Sequence, residues 1–386
     1  SEEDFYGWRG MPFLKLRFSY GYNGNVDRSL TAFTTARIVT RNTLTQLPYL
    51  QISNPPNQDL RWERIKIINL GLDFESRNSR ISGSLEFYQK LGLDLIGQTP
   101  YAPSSGIKVF SGNTASTQTK GFDVNLVTRN LTGEFSWTTV WLLSGLNEKV
   151  TDFEIEPSIS NLLNYGDAGL GGNYFPNVGK PLFGVYSYPW GGLNPETGDP
   201  VGILDGEPSE DYAAIINGAS LESVTYHGPA RPTLFGSVRN TFTYKGFSLS
   251  ANVSFRMGYY FRRSSIEFNP LLQGRGGHFD YALRWQNPGD ELETAVPSKP
   301  AGFNFYRDSF YRNAGVLVEK GDHIRLQDVR LGYNLKQFSK EGFLSGIRTA
   351  ELFLYANNLG MIWKSTDTKW DPDYGFNKPL KSIAVG

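Results

Sequence analysis

Residues 233–260 read TLFGSVRNTFTYKGFSLSANVSFRMGYY. Phe247, Leu249, Ala251, Val253, Phe255, Met257 and Tyr259 are apolar or aromatic, and Ser248, Ser250, Asn252, Ser254, Arg256 and Gly258 between them are polar or small. Strand side chains alternate between two faces, so one face of this segment is greasy throughout and the other wet. An ordinary strand has about five or six residues. A tilted strand that crosses a bilayer needs about 9–11, and this row has that length. The pattern predicts an all-β chain, a transmembrane antiparallel β-barrel with apolar side chains toward lipid and polar ones toward a lumen.

Working outward, the same alternation recurs. Leu14, Leu16, Phe18, Tyr20 and Tyr22 form one row; Leu70, Leu72 and Phe74 another; Ile81, Gly83, Leu85 and Phe87 a third. Phe122, Val124 and Leu126 follow, then Phe135, Trp137, Thr139, Trp141 and Leu143. Near the end come Val329, Leu331, Tyr333 and Leu335, then Leu352 and Leu354, then the short piece Ser382–Gly386. Roughly ten strands result. Tight turns are expected at Arg77–Arg80, Asn130–Gly133 and Lys245–Gly246, with a longer link from Lys336 to Gly346. Between them lie long segments at 23–64, 93–118, 147–232, 262–321 and 359–380. Compact soluble domains rarely carry loops beyond about 12–15 residues, whereas outer-membrane barrels pair short periplasmic turns with long extracellular loops. The competing architecture is a soluble β-sandwich, in which greasy strand faces pack against one another.

Composition bounds the rest. The chain has 386 residues, no cysteine, and 38 basic against 38 acidic side chains. That balance offers no basic stripe for nucleic acid, and the missing thiols remove disulfides and thiol chemistry. No apolar run reaches the roughly 18 residues of a transmembrane helix. The opening SEEDFYGWRG lacks the basic-then-apolar pattern of a signal peptide.

Catalytic constellations are not found. His227, His278 and His323 are far apart in sequence and are expected at the surface. The Gly-rich YGDAGLGGNYF (165–175) lacks the strand-then-helix setting of a phosphate loop. Asp367, Asp371 and Asp373, and a second group of Asp205, Glu207, Glu210 and Asp211, invite a calcium reading, but neither has EF-hand spacing, so solvated turns are expected. Aromatic residues divide in two. Trp137, Trp141, Phe255 and Tyr259 are expected on the lipid face or in its interfacial girdle. Tyr186, Tyr188, Trp190, Trp285, Tyr306, Tyr311, Trp363 and Trp370 fall in the long segments and are the substrate-contact candidates, the alternative being that they pin loops together. Arg239, Arg256, Asp328, Arg330 and Glu351 are expected to face the interior.

Several motifs, taken in order, carry a resemblance. They are LKLRFSYGYNGN (14–25), NPPNQDLRWERIKIINLGLDF (54–74), TKGFDVNL (119–126), YPWGGLNPETGDPVG (188–202), ARPTLFGSVRNTFTYKGFSLS (230–250), VEKGDHIRLQDVRLGYNL (318–335), LFLYANNLGMIW (352–363) and WDPDYG (370–375). Together they resemble the C-terminal part of the SusC/RagA-type TonB-dependent outer-membrane transporters of Bacteroidetes. The resemblance implies roughly the last ten strands of a barrel of about 22, with the N-terminal signal, TonB-box, plug and first barrel half not visible in this chain. It further implies import of oligosaccharides or oligopeptides without covalent chemistry or cofactor. The implied partners are a SusD-like lipoprotein at the extracellular mouth, TonB acting through the missing N-terminal part, the lipid bilayer and the rest of the same barrel. A smaller complete barrel, a passive porin and a soluble glycan-binding β-sandwich remain the alternatives.

Overall fold

A computed structural model describes residues 10–26, 28, 30–100, 104, 107, 109–155, 158–163, 176–335 and 350–386. The expected link at 336–346, the Gly-rich stretch 165–175 and nearly all of the opening decapeptide lie outside the described residues. Ten wall strands are present: β1 (Phe13–Asn25), β2 (Glu63–Glu75), β3 (Ile81–Pro100), β4 (Val109–Leu131), β5 (Phe135–Phe153), β6 (Leu234–Tyr244), β7 (Phe247–Met257), β8 (His323–Asn334), β9 (Glu351–Lys364) and β10 (Ser382–Val385). They hydrogen-bond in chain order, each to the next. Two compact units divide the chain. The first holds 1–126, 144–156 and 176–182; the second holds 127–143, 157–175 and 183–386, so that β4 and β5 contribute to both.

In the first unit the register sets Leu14 against Phe74, Leu16 against Leu72 and Phe18 against Leu70, and Leu70 in turn against Phe87. This face is not buried: Leu16 and Phe18 are each 70% exposed. Toward its turn end the opposite face is polar and internally paired. Arg17 reaches Asp73 at 2.8 Å and Glu86 at 2.6 Å, and Asn69 donates to Glu86 at 3.3 Å.

The second unit repeats the scheme. Phe242, Leu249, Leu331 and Leu354 lie in one cross-strand row, with Leu249, Leu331 and Leu354 exposed. On the other face Asp328 accepts from Arg239 at 3.1 Å and from Asn252 at 3.2 Å, while Arg330 meets Glu351 at 3.1 Å. A β-bulge lies in β8 between Leu326 and Asp328. The extra residue, Gln327, resets the alternation, so Ile324 and Leu326 share a face with Val329, Leu331 and Tyr333 although their numbers differ in parity.

One expectation is corrected. Most of 93–118 is strand, because β3 runs to Pro100 and β4 starts at Val109; 147–153 likewise belongs to β5 and 359–364 to β9. The reason is physical. Period-two hydrophobicity ends where a strand leaves the apolar band, yet backbone pairing continues through polar residues such as Thr114 and Thr117. The well-packed core also lies elsewhere than in the wall: Leu162, Leu163, Tyr186, Tyr188, Tyr212, Ile215, Val224, Phe310 and Ala314 form it, all of them outside the ten wall strands.

This distribution separates a barrel wall from a sandwich. A sandwich buries its apolar rows; here they are open while the connecting segments are packed. Leaving a large apolar side chain in water forgoes about 1.5–3 kcal/mol, a loss multiplied along every strand unless lipid covers the face. No described helix is long and apolar enough to cross a membrane.

Close strand approach makes Gly83 specific. A Cβ there would sit 2.2 Å from the Asn125 carbonyl oxygen on the neighbouring strand. Gly83→Val is expected to cost about 1–3 kcal/mol, measured as a lower urea midpoint for the detergent-solubilised protein.

Candidate functional site

The loop assembly of the second unit is built from short elements. Strands Gly184–Ser187, Trp190–Leu193, Pro200–Leu204 and Glu207–Ser209 lead to a helix at Tyr212–Asn217, whose N-cap Asp211 accepts from Ala214 N at 3.0 Å. The NPETGDP segment is the turn between two of these strands. Asn194 Oδ1 accepts from the backbone N–H groups of Glu196 at 2.8 Å and Thr197 at 3.2 Å, an Asx turn. Gly198 adopts φ +68°, and a Cβ there would strike the Trp285 indole at 2.3 Å. Buried Arg307 then fixes the turn, donating to Asp199 at 2.6 Å and to the Ser298 carbonyl at 2.7 Å. Arg307 stands on the helix Phe305–Arg312, capped by Asn304. The same helix inserts Phe310 among Tyr212 (5.5 Å between ring centroids), Tyr188 (5.8 Å) and Trp190 (6.4 Å).

The eight aromatic candidates therefore separate. Tyr186 and Tyr188 are buried in this core, Tyr311 is buried with Trp190 at 6.0 Å, and Trp190 is partly buried against the core. Trp285 is buried over Gly198 and donates to Glu291 at 3.1 Å. Trp370 is buried with its ring 3.9 Å from Phe376. Tyr306 and Trp363 stay open, at 41% and 47% exposure. Trp363, expected in a loop, stands on β9 opposite Ile324. Backbone breaks at Asn358 (φ +55°) and Gly360 (φ +126°) hide that strand's alternation.

A second cluster gathers where β7, β8 and the WDPDYG segment meet. Asp371 and Gly375 exchange backbone hydrogen bonds (3.2 and 2.8 Å), which Gly375 permits at φ +61°. The turn directs two carboxylates onto the strands. Asp371, 1% exposed, receives Arg325 Nη2 at 2.8 and 2.9 Å. Asp373 receives Arg256 Nη1 at 2.8 Å and His323 Nε2 at 3.1 Å, with Tyr259 Oη at 3.4 Å. His323 Nδ1 lies 2.9 Å from the Gly321 carbonyl. The Tyr259 hydroxyl also lies 3.3 Å from His323 Nδ1. Burial alone would raise the Asp373 pKa, but the His323 hydrogen bond and the charges of His323, Arg256 and Arg325 hold it below the usual carboxylate value.

Three expectations change here. His323 is buried and not at the surface; His278 is nearly buried, and His227 is half-buried with its Nε2 2.8 Å from Ser187 Oγ. Tyr259, expected on the lipid face, is buried because β7 ends at Met257 and the chain then turns inward toward His323. The Asp371 and Asp373 carboxylates are occupied by arginine and histidine, and in the other acidic group Asp211 caps a helix and Glu210 accepts from Asn194 at 2.5 Å. Sequence reasoning missed His323, Arg325 and Asp373 as a set. The usable signal is the wet-face parity of His323 and Arg325, which match Ser254 and Arg256 across the ladder.

Comparisons with known proteins agree with this architecture. No family model matches the chain. A TonB-dependent receptor of Formosa agariphila is 27% identical over 91% of this chain and 35% of its own length. The TonB-dependent receptor SusC of Bacteroides thetaiotaomicron is 22% identical over 86% of this chain and 33% of its length. A structure of the RagAB peptide importer in the open-open state superposes with a TM-score of 0.71 at 20% identity, covering 98% of this chain and 40% of that one. The chain thus spans about a third of the length of the curated relatives it matches. The resemblance to TonB-dependent receptors of the SusC and RagA kind holds over nearly the whole chain, with the all-β barrel fold and the outer-membrane location that go with it.

Removing one side of a buried ion pair strands the other. Arg325→Ala is expected to cost about 3–5 kcal/mol, read as faster amide exchange across 365–381. Because folding lowers the Asp373 pKa, its stabilisation is complete above the ordinary value of 3.8 and is lost as pH falls through the lower folded value. Pepsin nicking of this segment should rise over that acidic window, and Asp373→Asn should flatten the profile.

Proposed function

We propose that this chain is the C-terminal barrel part, residues 1–386, of an outer-membrane TonB-dependent importer that takes up oligosaccharides or oligopeptides. The reading rests above all on one observation: the strands expose continuous apolar rows, while the connecting segments of the second unit carry a packed aromatic core. That is the design of a lipid-embedded wall with structured loops at its mouth. Uptake by such a protein breaks no covalent bond. TonB, acting on a plug supplied by the N-terminal part of the protein, couples transport to the inner-membrane proton gradient. A SusD-like lipoprotein meets the extracellular loops, chiefly the parts of 147–232 and 262–321 that lie beyond the wall strands.

Within the loops, Tyr306 is the aromatic candidate with an accessible ring for substrate. The buried candidates serve by fixing the loop surface. Trp363 pairs with Ile324, on the greasy row of β8, and anchors the wall at its loop end.

The test is uptake by cells carrying the full-length protein. Import of the oligomeric nutrient should stop on deletion of TonB or of the lipoprotein. The purified protein should be electrically silent in a planar bilayer until its plug is displaced. Steady conductance with TonB-independent uptake would make it a passive porin, and detergent-free solubility would make it a glycan-binding sandwich. Tyr306→Ala is expected to weaken substrate affinity by about 1–2 kcal/mol, measured calorimetrically, with barrel stability unchanged.

A further inference from the structure

The greasy face of the first unit changes character toward its loop end. Going up β2 from the turn at 76–80, the row reads Phe74, Leu72, Leu70 and Ile68, then Lys66, Arg64 and Trp62. On β1 the matching row reads Leu14, Leu16, Phe18, Tyr20 and Tyr22, with Tyr22 opposite Lys66. Lys66 Nζ lies 5.3 Å from the Tyr20 ring centroid, and the Tyr20 hydroxyl donates to that of Tyr22 at 3.2 Å.

β4 adds another cation. Phe122 lies 6.5 Å from Phe87, on the greasy face, while a Cβ on Gly121 would meet the Tyr88 ring on the other face. Lys120, exposed, therefore shares the face of Phe122. Charge compensation is incomplete. Asp94 is 2.5 Å from Arg64 and 3.9 Å from Arg61, and among the described residues no ion pair reaches Lys66 or Lys120. In the second unit the described rows Phe247, Leu249, Ala251, Val253, Phe255, Met257 and Ile324, Leu326, Val329, Leu331, Tyr333 carry no cation.

We infer that this patch, Lys66 and Lys120 flanked by Arg64 and the Tyr20–Tyr22 pair, binds the phosphate groups of an anionic lipid in the outer leaflet. The occupant follows from the setting. The cations sit at the upper end of an exposed apolar band, so a ligand there must offer acyl chains below and negative charge above. A phosphorylated lipid has both. Tyrosine hydroxyls and an ammonium on a flexible stem suit the boundary between them. The inference rests on the barrel reading given under Proposed function.

The test uses the full-length protein in nanodiscs containing diphosphorylated lipid A or the same lipid after phosphatase treatment, with bound lipid counted by native mass spectrometry. The phosphorylated form should be retained through delipidation. Affinity should fall roughly fivefold for each cation removed in Lys66→Gln and Lys120→Gln, while Lys66→Arg should keep it. Inorganic phosphate should not displace the lipid. Equal retention of both lipid forms, unchanged binding by the double variant, or displacement by phosphate alone would overturn the inference. Heat-modifiable gel migration of the variants reports folding. If the wild-type protein fails to enter the membrane, the barrel reading has failed instead.

Discussion

Hydrocarbon offers no partner for a peptide N–H or C=O, so any strand in lipid must have its backbone bonded on both sides. Most of this chain can be understood from that constraint. Ten strands among the described residues bond in sequence order, the simplest way to satisfy neighbouring backbones with turns of a few residues at one end. β1 and β10 each have one hydrogen-bonded neighbour among the described residues, and β10 contributes only Ser382–Val385. In a bilayer such edges must be paired, and the larger barrel proposed for this chain would pair them.

The same constraint explains the pairing of charges on the wet faces. Arg17 with Asp73 and Glu86, and Arg239 with Asp328, join side chains across neighbouring strands. The partly exposed Arg17 pairs contribute little each, whereas Asp328 is buried. Their use is to let polar side chains line an interior without repulsion between neighbours. The buried pairs at the loop end behave differently. Arg325 and Asp371 are almost fully shielded, so breaking that pair costs far more than a surface pair and ties the 365–381 connection to β8.

Much of the wall was legible in the sequence because lipid imposes a strict period of two. Leu14 to Tyr22 and Phe247 to Met257 needed no other information. Legibility failed where that pressure stops. Beyond the apolar band β3 and β4 continue as polar strand, and their residues read as loop. Bulges at Gln327 and around Asn358 shift the phase, so the numbering of Ile324 and Trp363 is out of step with the rows they extend. The loop assembly was least legible. Tyr188, Phe310 and Tyr212 meet from distant segments, and nothing local to any one of them distinguishes a core residue from a sugar-stacking one. His323 was misplaced for a similar reason, since its partner Asp373 is fifty residues away in sequence.

The central claim is that the greasy rows face lipid. This chain contributes no cysteine, so single substitutions along β7 of the full-length protein, with any cysteine elsewhere replaced by serine, can carry a nitroxide label without background. Labels at Phe247→Cys, Leu249→Cys and Ala251→Cys should be relaxed by oxygen dissolved in the bilayer. Those at Ser248→Cys, Ser250→Cys and Asn252→Cys should be relaxed by a water-soluble nickel chelate or shielded by packing inside the barrel. A two-residue oscillation in that order is the predicted result. Water-soluble relaxation at Phe247, Leu249 and Ala251, or no alternation along the strand, would contradict it.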